Sequence, residues 1–182
     1  MRLFVGIEFP GEIINELLKV QNQIRSQAKR GRFVPRENLH LTLQFLDEVP
    51  VQEIGPIEQA LRKTAQCHGP FPLALKHVGS FGNGHSFRVV WVGINGDTRS
   101  LTRLQKDISV SLAALGFPQE TRPYRPHITL GRDVEIPGEV SFEKYGETML
   151  DMQFSVSRFS LMESTVEKGK RIYNTLYSFS LC

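Results

Sequence analysis

The sequence is poor in the features that mark membrane, secreted or disulfide-bonded proteins. Its 182 residues include only two cysteines, which form neither a CxxC pair nor a disulfide framework. No apolar run is long enough to span a bilayer, and residues 1–9 alternate like a strand rather than a signal peptide. We therefore expect a cytoplasmic protein that does not enter a membrane.

Motifs for phosphate-binding loops and metal sites are missing as well. There is no P-loop, dinucleotide fingerprint or nucleophile elbow, and Gly82-Asn83-Gly84 lacks the strand-to-helix context that such loops need. His68, His77, His85 and Cys67 fall in no metal-ligand spacing. We interpret His68 as a surface-loop residue, His77 as a strand-face residue and His85 as part of a hairpin turn. No metal or cofactor is expected.

The overall composition is that of an ordinary globular protein. Hydrophobic residues make up 40% and charged residues 23% of the chain, and the formal net charge is +3. Such a mild positive charge does not demand a nucleic-acid partner but suits an anionic ligand. With no linker or low-complexity tract, residues 1–182 are expected to form a single domain.

Two matching tetrapeptides dominate the sequence: His40-Leu41-Thr42-Leu43 and His127-Ile128-Thr129-Leu130. In a β-strand, residues two apart point to the same face, so each tetrapeptide presents an imidazole beside a hydroxyl. The apolar residues between and after them would face a core. One such stretch is a common accident, whereas two of them are a signal.

The pair belongs to a longer internal repeat. The motif histidines lie 87 residues apart, and the same offset carries Phe4-Val5-Gly6-Ile7 onto Trp91-Val92-Gly93-Ile94 and residues 12–28 onto 99–115. A strand, a helix and a His/Thr strand therefore recur in one order, which indicates a duplicated supersecondary unit. Two copies favour two lobes over a solenoid.

Hydrophobic periodicity and turn residues predict the remaining elements. Helices are predicted from the apolar faces of residues 12–28, 54–65 and 99–115, the last with Asp97 or Thr98 as N-cap and Gly116 beyond its end. Strands are predicted at 2–9, 39–46, about 71–79, 86–94, from 127, 153–163 and 171–180. Because strands outnumber helices and several are joined by hairpins, the fold class is α+β with mostly antiparallel sheets.

Two facing His/Thr pairs are suited to acid/base chemistry on a phosphodiester. One imidazole can deprotonate the attacking water or hydroxyl while the other protonates the leaving oxygen, since the pKa of histidine lies near neutral pH. Threonine hydroxyls and arginine side chains would hold the phosphoryl oxygens. Basic residues flank both motifs, namely Lys29, Arg30, Arg32, Arg36, Arg122, Arg125 and Arg132. Arg125 and Arg132 are the better candidates for phosphate contact.

The sequence resembles the 2H phosphoesterases, whose signature is a pair of HxTx tetrapeptides in a duplicated fold. Residues 38–46 (NLHLTLQFL), 125–132 (RPHITLGR) and 88–93 (RVVWVG), with Gly169 and Tyr173, are similar to the RNA 2',3'-cyclic phosphodiesterase branch, formerly called 2'-5' RNA ligase. One departure is Asp47, where this branch usually has glycine. Aspartate also enters left-handed turn conformations, so we expect an altered loop and a retained activity.

The resemblance implies two pseudo-symmetric lobes, each a mostly antiparallel sheet backed by helices, around a central groove lined by the HxTx strands. It implies hydrolysis of an RNA terminal 2',3'-cyclic phosphate to a 2'-phosphomonoester, with a weak reverse 2'-5' ligation. It assigns His40 as proton donor, His127 as proton acceptor and Thr42 and Thr129 as phosphate ligands. Tyr173 joins the two arginines as a substrate contact.

Other functions stay open at this stage. A monomer acting on RNA ends or small cyclic-phosphate nucleotides is the expectation. Other 2H reactions, such as cleavage of ADP-ribose 1'',2''-cyclic phosphate or of 2'-5' oligoadenylate, fit the same residues. A non-catalytic RNA-binding protein of this fold is a further alternative, which the intact motifs disfavour.

Overall fold

The computed structural model describes residues 1–119, 122–138, 140–145, 149 and 152–182. Three α-helices lie within these ranges: α1 (Gly11–Gln27), α2 (Ile54–Ala65) and α3 (Thr98–Ala113). The strands are β1 (Arg2–Ile7), β2 (Arg30–Phe33), β3 (Leu41–Glu48), β4 (Phe71–Asn83), β5 (Ser86–Gly96), β6 (His127–Glu135), β7 (Gln153–Val156), β8 (Arg158–Glu167) and β9 (Lys170–Ser180). The α+β prediction is confirmed.

The strands form two antiparallel sheets that share a pattern. The first has the order β3-β1-β8-β9 and the second β2-β6-β5-β4-β7. The 87-residue offset carries β1 into β5, α1 onto α3 and β3 into β6. In both sheets the motif strand is hydrogen-bonded to the strand that begins its repeat. The sequence duplication therefore appears in the structure as two sheets with corresponding neighbours.

One continuous apolar core fills the space between these elements. It takes the buried stripe of every helix, including Leu17, Leu61 and Leu104, and the inward residues of both sheets, including Val92 and Leu161. Burial of such side chains is the main stabilising contribution to a fold of this kind. The continuity of the core favours the predicted single domain of two lobes, which stays a prediction.

The element boundaries differ from prediction in a few places. β2 lies in a polar run for which no strand was predicted, because its four residues have no alternating apolar pattern. The strand expected over 153–163 is divided between β7 and β8, which belong to different sheets. No helix or strand was predicted for residues 117–126, a proline-containing segment between α3 and β6, and residues 120 and 121 of it lie outside the described ranges.

Two local predictions are confirmed by backbone and cap geometry. The carboxylate of Asp97 caps α3 and accepts a hydrogen bond from the backbone N–H of Ser100 at 3.0 Å. Asp47 has a φ of 55°, so the residue that replaces the usual glycine does occupy the left-handed region. None of the described helices is long and apolar enough to cross a membrane.

Candidate active site

The first motif places an imidazole and a hydroxyl in direct contact. His40 stands just before β3, and its Nδ1 lies 2.7 Å from the carbonyl oxygen of Asn38. A carbonyl only accepts, so Nδ1–H is the donor and Nε2 of the neutral ring carries the lone pair. Nε2 accepts from the Thr42 hydroxyl at 3.0 Å. The tautomer of His40 is thus set by a local backbone contact.

The second motif repeats the backbone contact of its histidine. His127 begins β6, and its Nδ1 lies 2.8 Å from the carbonyl oxygen of Arg125, again two residues earlier. The same reasoning assigns the proton to Nδ1 and the lone pair to Nε2. Thr129 is partly exposed and is paired in register with Trp91 on the neighbouring strand. Both motif histidines therefore have Nε2 as the atom available for proton transfer.

Aromatic rings pack against each of the two imidazoles. Phe4 and Tyr173 pack on the His40 ring, with centroid separations of 4.8 and 5.0 Å. Phe81 and Trp91 pack on His127 at 5.8 and 6.3 Å. Phe4 and Trp91 are related by the 87-residue offset, so the repeat supplies an equivalent ring behind each histidine.

The two motifs meet at one groove. Thr42 from the first sheet and His127 from the second line a cavity of about 850 Å³. The hydroxyl of Tyr124, in the loop before the second motif, donates to the backbone oxygen of Thr42 at 2.9 Å. Burial raises the pKa of Tyr124 and keeps this phenol protonated, so the contact between the lobes persists at neutral pH.

Electrostatic interactions also join the residues of the site. Burial is the main cause that lowers the pKa of His40 below 6.5, and the nearby positive charges of Arg132 and His127 add to it. The Asn38 carbonyl and the Glu8 carboxylate act in the opposite direction and are outweighed. His40 is therefore neutral near pH 7 in the free protein, with its Nε2 unprotonated.

Six of the seven residues predicted as site residues lie on this groove or near its histidines, and the seventh, Thr129, follows His127 on β6. Arg132 is close enough to His40 to affect its pKa, Arg125 is exposed on the groove wall, and Tyr173 packs edge-on against His40. Phe45, Phe81 and further residues of the groove wall were not predicted as site residues. Phe45 lies on the first motif strand, three residues after Thr42, whereas Phe81 of β4 reaches the groove only through the packing of distant segments.

His68 is placed differently from the prediction. It is 7% exposed, and its Nε2 lies 3.0 Å from Oδ2 of Asp107 on α3. The surface-loop interpretation was wrong, because this loop packs under the helix that follows much later in the chain. His85 bonds the carbonyl of Gly138 and is exposed, in keeping with a role outside the site.

A metal site would need several converging ligands. Within the described ranges, no three His, Cys, Asp or Glu side chains come together in this way. Metal-independent catalysis stays a prediction, which chelation can test.

Comparison with known proteins gives a consistent match over the chain. A family model described as the 2'-5' RNA ligase superfamily matches residues 9–167. The RNA 2',3'-cyclic phosphodiesterase of Methanocaldococcus jannaschii is 33% identical over 97% of this chain and 98% of its own length. The protein of that name from Escherichia coli K12 is 32% identical, over 99% of this chain and 96% of its own.

Solved structures agree with the sequence matches. E. coli LigT complexed with 3'-AMP superposes with a TM-score of 0.83 at 30% identity, covering 99% of this chain and 97% of that one. The protein TT0787 of Thermus thermophilus gives a TM-score of 0.82 at 28% identity, covering 100% and 98%. The fold, the paired motifs and these matches lead to one conclusion: the chain belongs to the 2'-5' RNA ligase superfamily.

Proposed function

We propose that this protein hydrolyses the terminal 2',3'-cyclic phosphate of RNA to a 2'-phosphomonoester by metal-independent catalysis with two histidines. The observation that carries the proposal is the pair of equivalent imidazoles, each with Nδ1 bonded to the backbone two residues earlier. Such fixed rings suit proton transfer at Nε2. The names of the M. jannaschii and E. coli relatives support the substrate class.

The proposed reaction uses one histidine for each proton. His127 Nε2 takes a proton from water as the water oxygen bonds to phosphorus, and the bond from phosphorus to O3' breaks. His40 Nε2 gives a proton to O3', which leaves a 3'-hydroxyl and a 2'-phosphate. Thr42 and Thr129 donate hydrogen bonds to the phosphoryl oxygens, where charge accumulates in the transition state. If a 5'-hydroxyl takes the place of water, gives its proton to His127 and bonds to phosphorus while O3' leaves, the same groups would support weak 2'-5' ligation.

The lowered pKa of His40 bears on its role as donor. In the free protein this ring is neutral near pH 7, so it must gain a proton when substrate binds. An anionic phosphodiester beside the ring favours the charged imidazolium and raises its pKa. The pH profile of kcat/KM reports the pKa of His40 in the free enzyme, and the profile of kcat reports its pKa in the substrate complex. We therefore expect the alkaline limb of kcat/KM to lie at a lower pH than the alkaline limb of kcat.

The basic and aromatic residues complete the proposed site. Arg132 can hold the phosphate with a bidentate guanidinium, and Arg125 lies where an RNA backbone would enter the groove. Tyr173 fixes the His40 ring and faces the same substrate. RNA ends as substrate and two free cysteines, Cys67 and Cys182, also favour the cytoplasm as the compartment.

The test is a panel of substrates assayed with EDTA present. We expect turnover of RNA carrying a 2',3'-cyclic phosphate. We also expect His40→Ala and His127→Ala to lose most turnover while both variants stay folded. His85→Ala is the matched control and should keep full activity. A substrate with a better leaving group at O3' should rescue His40→Ala preferentially, because that variant lacks the proposed donor.

The same panel separates the alternatives. Turnover only of ADP-ribose 1'',2''-cyclic phosphate or of 2'-5' oligoadenylate would keep the acid/base chemistry and change the substrate. RNA binding without turnover of any member would make the protein a binding module. Loss of activity in EDTA would refute the metal-independent mechanism, and rescue of His127→Ala in place of His40→Ala would exchange the two roles.

A further inference from the structure

We propose that the groove beside the histidines binds the nucleotide on the 5' side of the terminal residue, so that the protein prefers RNA chains to cyclic mononucleotides. The proposal rests on the cyclic phosphodiesterase function above and adds the length of the substrate. We call this region the α3 groove. Its lining includes Gln44, Phe45, Phe81, Arg88, Lys106 and Arg125.

The α3 groove carries an excess of positive charge. Arg88, Lys106 and Arg125 line it, and no ion pair involving any of them occurs among the described residues. Of the described lining residues, the acidic one is Asp47, and it pairs with Arg2 outside the groove wall. Cations without a carboxylate partner can neutralise phosphates of a bound nucleic acid.

The basic cluster before the first motif is different. Lys29 and Arg30 pair with Glu135, and Arg32 pairs with Asp133. These ion pairs join β2 to β6 and offset part of the positive charge of the cluster, because three cations share two carboxylates. From the sequence charge alone, this cluster would be the first candidate for an RNA-binding surface. Its ion pairs with β6 make the α3 groove the better candidate.

Aromatic side chains are interleaved with these cations. Phe45 is 59% exposed, and its ring rests on Phe4 at a centroid distance of 6.0 Å. Phe81 lines the same groove and packs on His127. A positively charged groove with exposed aromatic rings is the usual way to bind single-stranded nucleic acid without strong sequence preference. The groove therefore suits the bases of a short RNA segment.

Gln44 gives an independent sign of a ligand. Its side chain is 7% exposed and forms part of the groove wall, yet neither amide atom has a hydrogen-bond partner among the described residues. Buried amides are normally paired, because an unpaired one costs free energy. Both amide atoms are closed to solvent in this conformation, so a ribose hydroxyl or a base edge would supply the missing donor and acceptor after the Gln44 side chain turns toward the groove.

The dimensions agree with more than one nucleotide. Pockets of about 300 to 1,000 Å³ hold ligands of drug size, and the α3 groove has a volume of about 850 Å³. A cyclic phosphate between two histidines needs only a small part of that space. The cations on β5, on α3 and before β6 then remain for phosphates further along the chain.

The experiment compares a 2',3'-cyclic mononucleotide with a trinucleotide that ends in the same cyclic phosphate. We expect kcat/KM to be about tenfold or more higher for the trinucleotide. Phe45→Ala should lower the trinucleotide value by about tenfold to a hundredfold, the range for a lost base stack. Lys106→Ala should lower it less and reduce the slope of log KM against log salt by about 0.7, as expected for one lost phosphate contact.

Matched controls come from outside the groove. Lys63→Ala removes an exposed lysine of α2, and Tyr177→Ala removes an aromatic of β9 that is 41% exposed. Both should leave the ratio of trinucleotide to mononucleotide unchanged. Gln44→Leu should raise Tm by removing the unpaired amide and should weaken trinucleotide binding, whereas a purely structural Gln44 would change Tm alone.

A binding assay keeps the two proposals separable. Kd is measured for a mononucleotide and a trinucleotide that each end in a 2'-phosphate, so turnover is not needed. Equal Kd values, or equal effects of Phe45→Ala and Lys106→Ala on both ligands, would overturn the α3 groove as an RNA subsite and leave the reaction intact. Tighter trinucleotide binding without any hydrolysis would support the subsite and refute the proposed reaction.

Discussion

The contact between Gly79 and Trp91 allows a sharp test of how the second histidine is positioned. A Cβ added at Gly79 would lie within 2.9 Å of three carbons of the Trp91 ring, so the indole must move in Gly79→Ala. Trp91 packs on both Phe81 and His127, at centroid distances of 5.4 and 6.3 Å. Displacing the indole should therefore disturb the ring that we assign as the base.

The expected magnitude follows from overpacking. Forcing an extra methyl group into a well-packed site costs about 1–3 kcal/mol of unfolding free energy. For a protein of this size that corresponds to a fall in Tm of about 2 to 12 °C. A misplacement of about 1 Å in a catalytic group can cost about a hundredfold in rate, so we expect kcat to fall by about tenfold to a hundredfold.

The assay is direct because Trp91 is the one tryptophan of the sequence. Its fluorescence should shift in Gly79→Ala, alongside the changes in Tm and kcat. The double variant Gly79→Ala/Trp91→Phe should recover part of the lost stability, since the smaller ring leaves room for the methyl group. Gly55→Ala is the control, because a Cβ there meets nothing within 4 Å and alanine favours a helix. Unchanged fluorescence, Tm and kcat in Gly79→Ala would refute the reasoning.

Three further predictions concern the site. Thr42→Ala and Thr129→Ala should each lower kcat by about 10- to 1000-fold through a lost hydrogen bond to the phosphoryl group, and serine should restore much of it; unchanged kinetics in both would make the threonines packing residues. Arg132→Gln should raise KM for short RNA and weaken the salt dependence of KM. It should also move the alkaline limb of the kcat/KM profile to higher pH, because a charge that lowers the pKa of His40 is removed. An unchanged KM would point to Arg125 as the phosphate contact. The pKa of His40 in the folded protein lies below 6.5, so the unfolded chain takes up the proton first as the pH falls, and stability present above pH 6.5 is lost toward the folded pKa. The Tm of His40→Gln should therefore fall less between pH 7.5 and 5 than the Tm of the wild type. His85→Gln is the control, and an equal fall in Tm for His40→Gln and the wild type would contradict this prediction.

Much of the fold was predictable because its signals are local. The stripe of α3, the cap at Asp97 and the hairpin of β4 and β5, which turns at Gly84 and His85, depend on residues a few positions apart. Periodicity and turn chemistry act directly over such distances. The left-handed Asp47 was likewise predictable, because few residue types accept that conformation. The predicted element boundaries were wrong where a strand such as β2 forms through hydrogen bonds to a strand of the other repeat, here β6.

The sequence by itself determined the chemistry available to this protein. The HxTx tetrapeptides put an imidazole and a hydroxyl on one strand face, and the 87-residue repeat placed a second pair in an equivalent position. Even the tautomer of each ring depends on a carbonyl only two residues away. These are consequences of local chain geometry, so the proposed acid/base pair could be identified without a structure.

Only the tertiary structure decided what surrounds that pair. It buried His68 against Asp107 and paired Arg30 of the basic cluster with Glu135 of β6. It also placed Lys106 of α3 and Phe45 of β3 on the wall of one groove. These residues are far apart in sequence, and their contacts depend on how two sheets and three helices pack around one core. Such packing sets burial and ion pairing, which no local pattern records, and with them the shape and charge of the groove where substrate would bind.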